Sequence, residues 1–127
     1  MRAKWYNKLV MDDETLSRRR TEYKKLLQNS IVEITAKLSH LGVDRLSLFG
    51  SYALGKADLF TDLDILVVMD TDKPFPERLT SLYSLLSLPV DVDILCYTPY
   101  EFSKLKDKPF LRRVLSQEVV LYEKKSN

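Results

Sequence analysis

The stretch Leu48-Phe49-Gly50-Ser51, ten further residues, and then Asp62-Leu63-Asp64-Ile65-Leu66-Val67-Val68-Met69 decides how this chain is read. Leu46 and Leu48 alternate with other residues before the chain meets Gly50-Ser51, which predicts a short strand ending in a tight turn. Tyr52 to Leu54 can begin a brief helix that Gly55 breaks, and Lys56 to Thr61 is polar enough for a loop. From Asp62 the sequence starts with two acids and becomes continuously apolar, as a strand buried on both faces does. Residues two apart on a strand share a face, so Asp62 and Asp64 point one way while Leu63 and Ile65 point the other. Two carboxylates about 6 Å apart repel by roughly 3 kcal/mol even at an effective dielectric of 20. A cation removes that penalty, and magnesium suits carboxylate oxygens while keeping positions for water and phosphate.

The other half of such a site needs donors for phosphate. Gly50 has no side chain to hold a triphosphate away from the backbone, and Ser51 offers a hydroxyl and an amide at the entrance of the short helix. Alone, Gly-Ser is an ordinary turn and Asp-x-Asp a surface loop or cap. In combination, with strand-like flanks and this spacing, they point to phosphate chemistry. A third acid is available on the strand predicted at Val90-Asp91-Val92-Asp93-Ile94-Leu95-Cys96-Tyr97. With Val90, Val92 and Ile94 inward, Asp91 and Asp93 share the opposite face, and either can lean toward the first pair across adjacent strands. Three carboxylates can hold two metal ions about 3.5 to 4 Å apart, which is the arrangement of phosphoryl transfer.

Around these strands the helices are legible. Asp13 to Leu41 lacks Gly and Pro, and Tyr23, Leu27, Ile31, Ile34, Leu38 and Leu41 fall on one helical face, with Gly42 as the stop. Pro76 opens a helix marked by Phe75, Leu79, Leu82 and Leu86, which Pro89 ends. Thr98-Pro99-Tyr100-Glu101 is a capping-box pattern, Pro109 separates that helix from the next, and Val119 to Tyr122 can close the fold as an edge strand. The order describes a small α/β domain.

Composition excludes several classes. The 127 residues fit one domain, and 45% hydrophobic residues with 3 Gly and 5 Pro argue for a folded globule. The formal charge of +2 gives no support for a nucleic-acid partner, and one cysteine and one histidine exclude a disulfide or a multi-Cys zinc site. No apolar run approaches the roughly 20 residues of a membrane helix, and Met1 to Val10 lacks a signal-type apolar core, so a cytoplasmic protein without a membrane partner is expected. Cys96 reads as inert core, His40 as a helix cap, and Trp5 and Tyr6 as packing residues. The basic clusters around Arg18 to Lys25 and Lys104 to Arg113 read as solvated helix faces.

The Gly-Ser, ten-residue, Asp-x-Asp pattern resembles the signature of the DNA polymerase beta-like nucleotidyltransferases, and in particular the minimal nucleotidyltransferases often paired with a HEPN-domain protein. Val92 to Phe102 resembles the family's third-acid strand and the helix start after it, and Glu118 to Glu123 its closing segment. The resemblance implies a small mixed sheet flanked by helices, with residues 43–123 as core and 1–42 as a helical extension able to cover a sheet face or form a dimer contact. It implies Asp62, Asp64 and Asp93 as catalytic metal ligands for Mg²⁺, and Gly50 and Ser51 as the grip on the β and γ phosphates of a nucleoside triphosphate, most plausibly ATP. The implied reaction transfers a nucleoside monophosphate to a hydroxyl on a partner, with a HEPN toxin as acceptor. Family members commonly carry Arg where this chain has Tyr52 and Leu54, which leaves Lys56 or Arg45 as substitutes and keeps a non-catalytic antitoxin or a nucleotide-binding regulator as alternatives.

Overall fold

The computed structural model describes residues 12–125, so Trp5 and Tyr6 lie outside the described residues. In chain order the elements are α1 (Asp13–Ser39), β1 (Arg45–Phe49), α2 (Gly50–Ala53), β2 (Leu63–Val68), α3 (Phe75–Leu85), β3 (Val92–Tyr97), α4 (Pro99–Leu105), α5 (Pro109–Gln117) and β4 (Val119–Glu123). The four strands form one sheet in the order β3-β2-β1-β4. β1 runs antiparallel to both β2 and β4, and β2 runs parallel to β3. The expected mixed α/β fold is therefore the observed one, with β3 starting at Val92 rather than Val90.

Strand alternation divides the sheet into two faces. Leu46 and Leu48 of β1, Leu63, Ile65 and Val67 of β2, and Ile94 and Cys96 of β3 form one face. It is covered by Leu27, Ile34 and Leu38 of α1 and Leu82 of α3. Each such fully buried aliphatic side chain contributes about 1.5–3 kcal/mol. Leu66 on the other face meets Leu111 and Val114 of α5, with Phe49, Leu95, Tyr97 and Phe102 around them. Two covered faces explain why β2 is apolar without alternation. Its first residues are the exception.

Local signals set the ends of the elements. The Asp12 carboxylate accepts from the Thr15 amide at 2.6 Å to start α1. His40 caps the far end, and Gly42 follows at φ 75°. The α1 stripe stops short of Leu41, which is 42% exposed, and includes buried Ser30, whose hydroxyl is satisfied by the Leu26 carbonyl at 2.7 Å. Thr98 and Glu101 form the expected capping box on α4.

Glu101 has a second task that the sequence does not disclose. Arg78, on α3 and 8% exposed, donates to both Glu101 oxygens at 2.6 and 3.2 Å, to the Lys73 carbonyl at 2.6 Å and to the Cys96 carbonyl at 3.3 Å. The pair thus ties α3 and α4 to the end of β3. Arg78 holds the Glu101 carboxyl below its ordinary pKa. The folded state therefore binds that proton less tightly than the unfolded chain, so the stability is present above pH 4.5 and is lost as pH falls through the lowered value. Glu101→Gln strands a buried guanidinium, and since Glu101 is itself 38% exposed the cost is discounted to about 1–3 kcal/mol. We expect chemical denaturation at pH 7 to show that loss, and the difference from wild type to shrink at acid pH.

Candidate active site

The acids gather where the cover provided by α5 gives out. In the parallel ladder Asp64 pairs with Asp93, and in the antiparallel ladder it pairs with Phe49, so Asp64 and Asp93 share the α5 face on neighbouring strands. Asp62 lies one residue ahead of β2 and is exposed, as is Asp93, while Asp64 is half-buried. Burial raises the Asp64 pKa, and the charges of Asp93 and Asp62 raise it further. Asp64 thus feels both of the other carboxylates. Asp91, just before β3, is placed differently: its carbonyl accepts from the Leu63 amide at 3.0 Å. Its charge acts, with that of Asp62, on Tyr23 of α1.

Gly50 brings the phosphate corner to the same spot. It stands at φ 75°, a conformation that glycine adopts readily and other residues avoid. A Cβ built there would lie 3.0 Å from Asp64 Cγ and overlap its Oδ2. The glycine is thus required twice, by backbone conformation and by the carboxylate packed against it. The Gly50 amide donates to Gln117 Oε1 at 3.2 Å, from the last residue of α5, while Ser51 is exposed. Gln117 was invisible to sequence reasoning, since nothing in its neighbourhood signals contact with a residue 67 positions away.

Among the described residues no group of three or more His, Cys, Asp or Glu side chains forms a ready cage for an ion. Asp64 stands within the field of both Asp62 and Asp93. In its chemistry the donor set nevertheless suits a hard divalent cation: carboxylate oxygens, one of them made costly to ionise by burial and by its neighbours' charge, beside a backbone corner cleared of side chain. Asp62, Asp64 and Asp93 are the residues that would hold it.

Of the two cations expected to replace the missing arginines, Arg45 is not available. It sits at the far end of β1 from Gly50, bound to Glu118 and, at 2.6 Å, to Glu123. Those acids on the closing segment claim its charge, a pairing between strands that the sequence does not reveal. Lys56 is exposed beyond α2. Lys24 of α1 instead lines a hollow with Tyr52 and Gly55.

The loop before Asp62 is pinned to α1. Arg20 pairs with Asp58 at 2.9 Å, and the Tyr23 hydroxyl donates to the Thr61 carbonyl at 3.1 Å. Within the loop the Asp58 amide donates to Thr61 Oγ1 at 2.8 Å and the Leu59 amide to Asp58 Oδ1 at 2.8 Å. α1 therefore holds the loop that leads into Asp62.

Because the folded-state pKa of Asp64 is raised above 3.8, stability falls as pH rises from the ordinary carboxylate range through the raised value. Asp64→Asn removes that penalty. We expect Asp64→Asn to melt at a higher temperature than wild type in chelator at pH 7, and millimolar Mg²⁺ to raise the melting temperature of wild type but not of the variant.

No curated protein matches the chain. A crystal structure from Sulfolobus solfataricus, provisionally named a nucleotidyltransferase, is similar in fold, with a TM-score of 0.50 and 24% identity over 79% of each chain. The model of the nucleotidyltransferase domain family matches residues 29–122, which contain Gly50, Ser51 and all three acids. By that match, and with the glycine corner set against the acids, the chain belongs to the nucleotidyltransferase domain family.

Proposed function

We propose that the protein transfers a nucleoside monophosphate, AMP from ATP, to a hydroxyl presented by a HEPN-domain partner. The observation that carries this reading is the contact of Gly50 with the Asp64 carboxylate, which sets the glycine corner directly against one of the acids. The Ser51 hydroxyl and amide, with the Gly50 amide once Gln117 shares or yields it, take the β and γ phosphates. Asp62, Asp64 and Asp93 hold Mg²⁺, which when bound offsets phosphate charge and makes the acceptor hydroxyl easier to deprotonate. In the transfer the acceptor oxygen bonds to the α phosphorus, the bond from that phosphorus to the bridging oxygen breaks, and pyrophosphate leaves. Asp93 takes the hydroxyl proton, a role its exposure on the edge strand β3 supports.

A HEPN-domain partner as acceptor is favoured by the resemblance of the Gly-Ser, ten-residue, Asp-x-Asp pattern to the minimal nucleotidyltransferases. A second reading, neutralisation of the partner by contact alone, is favoured by Tyr52 and Leu54 standing where arginines are common in the family.

Incubation with Mg²⁺, the partner and ATP labelled at either the α or the γ phosphate separates the two. We expect α label, and no γ label, on the partner, reduced at least about 100-fold by Asp62→Ala or Asp64→Ala in folded variants. Tight partner binding by wild type and variants alike, with no label transferred, would establish the contact-only reading.

A further inference from the structure

Phe60 occupies a position that its chemistry disfavours. Among the described residues it is the one non-glycine at positive φ, 61°, and its side chain is 80% exposed. A bulky residue in left-handed backbone is a true outlier, and an aromatic ring in water forgoes the gain of burial. Neither cost is offset by packing in the core. Both are imposed by the braced turn around it, in which the Thr61 amide donates to the Asp58 carbonyl at 3.2 Å and Arg20 and Tyr23 clamp the turn to α1. Strain held in place by its surroundings is characteristic of ligand clamps.

The ring has a companion. Its centroid lies 5.9 Å from that of Tyr23, with the planes tilted by 56°. With Leu26 and Leu59 behind them and Arg19 and Glu22 at the rim, the two rings line a groove of about 220 Å³. The Tyr23 hydroxyl meets the Thr61 carbonyl at 3.1 Å, one residue ahead of Asp62, so the groove lies at the approach to Asp62.

We propose that this groove receives the base of the nucleoside triphosphate, with Phe60 and Tyr23 as an aromatic shelf. The inference rests on the transfer reaction proposed above and assigns its nucleobase subsite. Size favours this occupant: the groove is smaller than the roughly 300–1,000 Å³ of drug-sized sites and suits one planar ring system. The polar rim agrees with it, because Arg19 donates and Glu22 accepts, and the edge of a base presents both kinds of partner. A shelf of aromatic faces also tolerates any base, since every base has a π-face. The subsite is built largely from α1, which provides four of the six lining residues.

Calorimetric titration of the full chain in Mg²⁺ with ATP, and separately with inorganic tripolyphosphate, tests this. Phe60→Gly removes the ring while suiting the positive φ, and Phe60→Tyr keeps a stacking face. We expect Phe60→Gly to weaken ATP binding roughly 5- to 150-fold and leave tripolyphosphate binding unchanged, with Phe60→Tyr close to wild type. Equal losses for both ligands, or no loss for ATP, would overturn the base subsite and leave the transfer reaction standing. Loss of partner binding with ATP affinity intact would assign Phe60 to protein docking and likewise overturn it. A wild-type chain that binds neither ligand would remove the transfer reading, and the subsite with it.

Discussion

The van der Waals contact between Gly50 and the Asp64 carboxylate is the constraint on which the site depends. One partner directly follows β1 and the other is the second residue of β2, so the contact exists only because Phe49 and Asp64 are register partners in the antiparallel ladder. A slip of one residue would send Asp64 to the opposite face, among Ile65, Val67 and the α1 side chains. Burial of the apolar face therefore fixes the chemistry: the same alternation that hides Leu63 and Ile65 presents Asp64 beside the glycine corner and opposite Asp93.

The costs of this arrangement are confined to one end of the sheet. Asp64 is half-buried among like charges, Gly50 is held in left-handed backbone, and Phe60 is strained and exposed. The rest of the sheet is well supported. Helices cover both faces, the Arg78–Glu101 pair ties α3 to α4, and Arg45 joins β1 to the closing strand through Glu118 and Glu123. Among the described residues one buried group remains unexplained by this support: the Ser47 hydroxyl, fully buried on β1, meets no hydrogen-bond partner there. It lies where the β1–β4 ladder shifts register, between Leu46 and Ser47.

Much of the fold was legible because its signals are local. The apolar run of β2, the Thr98–Glu101 capping box and the α1 stripe at Leu27, Ile34 and Leu38 each follow from residues within a few positions of one another. The sequence left Asp91 and Asp93 open on shared alternation, and the ladder then set Asp93 across from Asp64. What sequence could not supply was long-range pairing. Arg45 looked like a cation for phosphate and is instead held by two acids more than 70 residues away. Gln117 reaches the Gly50 amide across a similar separation, and Arg78, between Phe75 and Leu79 on α3, is buried and bonded to Glu101. Nothing local marks such partners, since a charged side chain reads as exposed until its counter-charge is placed.

The contact at the centre of the site can be measured by a double-mutant cycle between Gly50→Ala and Asp64→Ala, read by denaturant unfolding. Removing the carboxylate gives the added methyl room, while the positive φ of Gly50 still disfavours alanine in both backgrounds. The contact described here requires Gly50→Ala to cost at least about 1 kcal/mol more in wild type than in Asp64→Ala. Equal costs in the two backgrounds would show that the glycine corner and the carboxylate do not touch, and would contradict a single site built from both.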